Sequence, residues 1–306
     1  MPVNVSGIVS SHASIFTNGS WTTQTSNFGT TRIQTVAYGN SLFVAAGFSG
    51  QLRTTTDGVT YTTQTSNITG AMFVSAYGNG TWIVGGDGPQ LRSSTDAVTW
   101  VTRTIAIASV NNLRGAAYGN GVFVVSADSG KASSSTDAVS WVTITLSNFG
   151  NASTQCVAYG DGIWIIAGYS GLINRSTDNA ATWTSQTSNF GSTTIKAAAY
   201  GHGVFVIVGN AGLARRSTDG VTWVTVTSNF GTTNIRSVQF SDLSRTWVAA
   251  GEAAQVRHST DGTTWTTVTS NFSAATRVHS IAHGNSIFLA VGDSGEIRTL
   301  PISQTS

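Results

Sequence analysis

Thirteen carboxylates, five histidines and one cysteine are the side chains in this 306-residue chain that could move protons, attack a substrate or hold a metal. Their placement argues against all three. Six of the carboxylates, Asp57, Asp96, Asp137, Asp178, Asp219 and Asp261, recur in one string, S/T-T-D-x-x-T/S-W/Y. Asp161 and Asp242 fall in a second recurring string, and the only glutamates are Glu252 and Glu296. Glycoside hydrolysis needs two carboxyl groups at a defined separation across a cleft, and nothing outside the repeats supplies such a pair. His12, His202, His258, His279 and His283 show no ligand spacing. Cys156 stands alone, which excludes an intrachain disulfide and a cysteine-based zinc site. The expectation is no enzyme, no cofactor and no metal.

The elements that carry these residues are repeats. A-Y-G-N at Ala37–Asn40 returns from Ala76, Ala117, Ala158 (A-Y-G-D), Ala199 (A-Y-G-H) and Ala282 (A-H-G-N), with a weaker copy at Gln239–Asp242. The aspartate string ends in Tyr61, Trp100, Trp141, Trp183, Trp223 and Trp265. The period of roughly 41 residues suits a four-stranded propeller blade. In the first period Ile33–Ala37 reads as a strand, and Tyr38–Ser41 as a tight turn in which Gly and Asn supply positive φ. An apolar strand over 42–47, a turn at Phe48–Gly50, a third strand over 51–55, the turn around Asp57 and a Thr-rich fourth strand over 60–65 follow. A lone blade cannot bury both faces, so neighbours must stack on it. Phe43, Trp82, Phe123, Trp164, Phe205, Trp247 and Phe288 share one position on the second strand and should fill the inter-blade core.

The last copy, 277–300, lacks a fourth strand, whereas 15–27 (with Trp21) matches the fourth strand of the other blades. The expected fold is therefore all-β: one seven-bladed β-propeller over 1–306, closed by its N-terminal strand, with 1–14 as an arm.

The recurrent S-T-D-G-V-T-W string resembles the Asp-box, or bacterial neuraminidase repeat, of sialidases, sortilin-type receptors and a photosystem II assembly factor. The resemblance covers nearly the whole chain. It implies that the six aspartates are structural, capping backbone N–H groups in the turn before the fourth strand while the aromatic packs beneath. Departures are Tyr61 in place of Trp, the extra residue in Asn179–Ala181 and the missing aspartate of the last copy. A sialidase would also need an arginine cluster, a Tyr/Glu nucleophile pair and an acid, and the tyrosines other than Tyr169 belong to repeated turns or boxes. The Gly/Ser/Thr-rich texture and the joining sequence T-S-N-F-G-T-T are similar to repeat proteins of tailed bacteriophage virions.

Positions that vary within this frame are the candidates for binding. The second turn carries Phe48, Asp87, Asp128, Tyr169, Asn210, Glu252 and Asp293; early in the innermost strand one position holds Gln34, Phe73, Arg114, Gln155, Lys196, Arg236 and His279. Both should lie on one face, at the channel mouth. One reading is a polar pocket for an anionic or sugar ligand contacting Arg114, Lys196 and Arg236, with Gln34, Gln155, His279, Phe48 and Tyr169 around it. The other is that these groups pair with acidic turns and channel water. Arg53, Arg92, Arg215, Arg257 and Arg298 on the third strand could neutralise the same acids. Phe28, Phe149, Phe190, Phe230 and Phe272, with Ile68 in the same place, either ring the disc as an apolar contact surface or plug the gaps between blades.

Charged residues are only 9% of the chain and the net charge is +2, so neither nucleic acid nor a polyanion is a written partner. No stretch has the apolar length of a membrane span, and the first residues do not read as a signal peptide. The expected function is a non-catalytic structural or interaction module, a phage tail, fibre or capsid-surface protein that docks on other virion or surface proteins. Its place would be the virion or the extracellular space, otherwise the cytoplasm. A lectin-like glycan binder and an assembly factor are the alternatives.

Overall fold

The computed structural model describes residues 20–107 and 111–302. Its strands form seven sheets of four antiparallel strands each. The first complete blade comprises β2 (Ile33–Gly39), β3 (Leu42–Gly47), β4 (Gln51–Thr55) and β5 (Thr62–Thr65), paired in that order. Five more blades repeat this arrangement. The last sheet joins β1 (Thr22–Gln24) to β28 (Ile297–Pro301), β27 (Ile287–Gly292) and β26 (Val278–Gly284), which closes the ring. The register sets Thr22 opposite Thr299, Thr23 opposite Arg298 and Gln24 opposite Ile297. The expected arm over 1–14, and the part of the closing strand expected over 15–19, lie outside the described residues.

Composition explains the order of strands from axis to rim. The second strand, flanked by neighbouring blades on both faces, is apolar throughout and almost wholly buried, as in Leu42–Gly47 and Val204–Gly209. The outermost strand is Thr-rich and exposed, as in Thr62–Thr65. The seven second-strand aromatics are at most 2% exposed. Each lies against the ring that precedes the first turn, with centroids 4.7 Å apart for Tyr77 and Trp82 and 4.8 Å for Tyr38 and Phe43.

The glycine of A-Y-G-N has a different role from the one its sequence suggests. Positive φ belongs to the two residues after it, Asn40 and Ser41 in the first blade and Asn79 and Gly80 in the second. Gly39 ends its strand, and a Cβ there would stand 2.1 Å from the Tyr77 ring of the next blade. The same approach recurs at Gly78 on Tyr118, Gly119 on Tyr159, Gly160 on Tyr200, Gly201 on Phe240 and Gly284 on Tyr38. Glycine is required here for close packing between blades. Where the series has Ser241 instead, the facing ring is His283, whose Nε2 lies 3.0 Å from Ser241 Oγ.

The six aspartates cap their turns. Asp57 Oδ1 accepts the N–H of Val59 and of Thr60, each at 2.8 Å, and Asp96, Asp137, Asp219 and Asp261 do the same two and three residues on. With its inserted residue, Asp178 instead accepts from Thr182 N at 2.9 Å. Three of the six aromatics at the end of the string donate back to the turn: Tyr61 Oη to Gly58 O (2.9 Å), Trp183 Nε1 to Ala180 O (3.0 Å) and Trp223 Nε1 to Gly220 O (3.3 Å).

Hydrogen-bond donation holds these carboxyls below the ordinary aspartate pKa, chiefly through the N–H three residues on for Asp96, Asp137 and Asp219 and through the Thr182 hydroxyl for Asp178, all four falling to about 2. The folded state thus prefers the ionised form. The stability this contributes is complete above the unfolded aspartate pKa, about 3.9, and disappears as pH falls through the folded values. The difference in urea midpoint between the wild type and Asp137→Asn should be level from about pH 7 to about pH 5 and then shrink steeply between about pH 4 and about pH 2. A difference unchanged down to about pH 2 would contradict the capping role.

Candidate functional site

Every innermost strand contains a β-bulge, and the bulges build the site. Ile33 pairs with Gly47 and Thr35 with Ala46, leaving Gln34 as the extra residue. The same shift isolates Phe73, Arg114, Gln155, Lys196, Arg236 and His279 in the other blades. A bulge re-aims a side chain, and these seven, one per blade, line one axial cavity of about 470 Å³. Comparison of the blades places them together, whereas the bulge has no sequence signature, because a feature present in every copy leaves no irregularity in the period.

Around the mouth, the bulge residues and second turns divide into sectors. Arg114 makes two bonds to Asp128, Nε to Oδ1 at 2.8 Å and Nη2 to Oδ2 at 3.0 Å. Arg236 binds Glu252 through Nε at 3.1 Å and Nη2 at 2.5 Å. Asp293 accepts from His279 Nε2 at 2.9 Å, Arg277 Nε at 2.7 Å and, across the seam to the first blade, Arg32 Nε at 2.8 Å. Burial opposes ionisation of Asp293, but the donors from Arg277 and His279 outweigh it and hold its pKa well below the usual range. Burial also lowers His279, to about 4, despite the carboxylate. His279 is therefore neutral at ordinary pH, with its proton on Nε2, because an ionised carboxylate can only accept.

Two further sectors contain no such pair. Phe48 and Phe73 meet edge to face at 6.1 Å, with Arg32 over the first ring at 4.8 Å and Arg114 over the second at 4.9 Å. Lys196 Nζ lies 3.4 Å from Gln155 Oε1 and 5.3 Å from the centroid of Tyr169. Among the described residues no carboxylate comes within ion-pair distance of Lys196. Its pKa is lowered by burial, and then by the fields of Arg236 and Arg114. Tyr169 is 44% exposed, the most accessible of the mouth aromatics.

The third-strand arginines do not neutralise the acidic second turns; Arg298 pairs instead with Glu296, outside that series, at 3.1 Å. Arg53, Arg92 and Arg215 instead donate to the backbone carbonyls of Asn27, Asn67 and Asn189, and Arg257 and Arg298 to those of Asn229 and Asn271. Four of the five lie over the following phenylalanine, as Arg53 does over Phe28 at 4.7 Å and Arg298 over Phe272 at 4.6 Å. The joining loop presents its carbonyl in the direction the guanidinium leaves the sheet, a geometry that blade alignment cannot give. Phe28, Phe149, Phe190, Phe230, Phe272 and Ile68 are at most 8% exposed and plug the seams.

No protein family and no curated protein matches the sequence. Solved structures do resemble the fold. YCF48 from Cyanidioschyzon merolae is 15% identical with a TM-score of 0.74, the match covering 92% of this chain and 99% of that one. YCF48 bound to D1 peptide is 13% identical, with a TM-score of 0.73 over 94% and 95% of the two chains. Virginiamycin B lyase from Staphylococcus aureus is 10% identical, with a TM-score of 0.81 over 93% and 99%. At these identities the shared property is the seven-bladed propeller.

Proposed function

We propose that this chain is a non-catalytic interaction module that takes a protein partner at the bulge-lined mouth of its channel. The observation carrying this reading is the contrast between a uniform frame and a bulge position at the mouth where no two neighbouring blades present the same side chain. A propeller that served only as a spacer would have no need for such differences. The peptide held by one YCF48 structure supports a peptide ligand for a ring of this shape. The buried joining-loop phenylalanines weigh against a lectin with equivalent shallow sites, since they offer sugars no exposed ring.

The setting we propose is a phage virion appendage or capsid-surface protein, on the strength of the Gly/Ser/Thr-rich texture and the low charge. Mass spectrometry of purified particles tests it, and absence of the chain from them would defeat it.

The binding surface is tested by partner capture with the wild type, with Tyr169→Ala/Phe48→Ala at the mouth, and with Val98→Asp on the opposite face. The same captured protein should be recovered by wild type and Val98→Asp and lost with the mouth variant. Capture that survives the mouth substitutions would overturn the assignment.

A further inference from the structure

The mouth is built to a rule that it breaks once. A basic residue at the bulge position is answered by an acid on the second turn of its own blade: Arg114 by Asp128 and Arg236 by Glu252 as ion pairs, and the neutral His279 by Asp293 as a hydrogen bond. The fourth basic residue, Lys196, has Asn210 at the equivalent turn position of its blade. Asn210 Oδ1 is buried and accepts no hydrogen bond. The neighbouring blade contributes Gln155 and the exposed Tyr169. An ammonium partly withdrawn from water, in a blade whose second turn lacks the charge its equivalents carry, is short of one negative charge.

We propose that Lys196 receives one carboxylate from an acidic peptide segment of the partner, between Gln155, Tyr169 and Asn210, and that this gives the bulge lysine the ion pair that Arg114 and Arg236 already have. The inference rests on the proposed function and names its anchor. A doubly charged phosphate would call for forked guanidinium donors, and both forks at the mouth, Arg114 and Arg236, are engaged by their own carboxylates. A single carboxylate needs only the one ammonium. A sugar acid would add a ring to be stacked, yet Tyr169, Phe48 and Phe73 each have a cation over one face.

The test is an amide chemical-shift titration with three probes: acetyl-Gly-Gly-Phe with a free terminal carboxylate, its terminal amide, and acetyl-Gly-Glu-Phe-amide with a side-chain carboxylate. One or both acids should give saturable shifts centred on Gln155, Lys196 and Tyr169, and the uncharged amide none; which acid binds tells a chain terminus from an acidic side chain. Lys196→Gln should weaken binding about tenfold or more. Asn210→Asp keeps the lysine and supplies the missing in-blade acid, so it should weaken binding to the same degree. Each variant is first checked for an unchanged thermal midpoint. Absence of saturable shifts, equal binding by Lys196→Gln, or shifts centred on Arg114 or Arg236 would overturn the anchor. Tighter binding of N-acetylneuraminic acid than of either peptide would reassign the site to an acidic glycan. Failure of the probes alongside partner capture that still depends on Tyr169 and Phe48 would remove the anchor and leave the proposed function standing.

Discussion

Gly160→Ala should destabilise the ring by about 3 kcal/mol, at the upper end of what overpacking costs, although it adds one methyl group at a position where alanine's backbone conformation is allowed. The new carbon would stand 1.9 Å from Tyr200 Cγ. Tyr200 cannot retreat freely, because its ring lies 4.7 Å from that of the buried Phe205. The strain therefore passes to the seam between two inner strands. The chain supplies its own remedy at the blade 6–7 seam, where Ser241 faces His283 in a hydrogen bond and the histidine ring still lies 5.2 Å from Phe288. Transplanting that pair as Gly160→Ser/Tyr200→His should recover part of the lost stability. A double-mutant cycle in urea should then give a favourable coupling of about 1–2 kcal/mol. A coupling near zero would show that the glycine serves something other than the neighbouring ring.

This pair illustrates what the sequence makes legible. The blade count, the strand order within a blade and the closing strand follow from periodicity, because four strands and a packed second strand leave a regular trace. The glycine's role does not follow. A Gly beside Asn reads as turn chemistry, whereas the reason for it is a tyrosine about 40 residues away, on the next blade. Only the coordinated change to Ser241 and His283 hints at a contact, and a single exception is easily passed over. The candidate site divides in the same way. Arg114, Lys196, Arg236 and His279 could be placed at one mouth by comparing blades, because equivalent positions meet around an axis. Which of them are already neutralised depends on how far a bulged side chain leans toward its own second turn. No spacing rule says that Asp128 reaches Arg114 twice while Lys196 meets only an amide and a phenol ring.

Closure gives the other large effect. Trp21 is fully buried, in a cluster with Phe272, Phe288 and Leu300, and its carbonyl accepts Asn271 Nδ2 at 2.5 Å. Asn27, Asn189 and Asn229 make the same bond to the carbonyls of Tyr61, Trp223 and Trp265. The seam between the sixth and seventh blades thus treats Trp21 as the aromatic of an ordinary fourth strand, although it comes from the other end of the chain. Trp21→Ala should cost about 3–5 kcal/mol, the range for removing a large aromatic from a core. The loss differs in kind from the same change at Trp100, which is also buried. Trp100 precedes a strand tied to its sheet by a short turn, so its blade stays assembled by chain connectivity. The strand after Trp21 is held by three paired residues, by Gln24 Nε2 on Thr299 Oγ1 at 2.8 Å and by Ser26 Oγ on Gly295 O at 2.6 Å. With the tryptophan gone, release of β1 no longer requires the ring to open, and β28 becomes a sheet edge, which is prone to pair with a second chain. Hydrogen exchange should then show early loss of protection along Ile297–Thr299 in Trp21→Ala, with the second strands of the other blades still protected, and self-association rising with concentration. In Trp100→Ala exchange should quicken without that localisation. Equal and uniform quickening in both variants would mean that the ring does not depend on this strand for its closure.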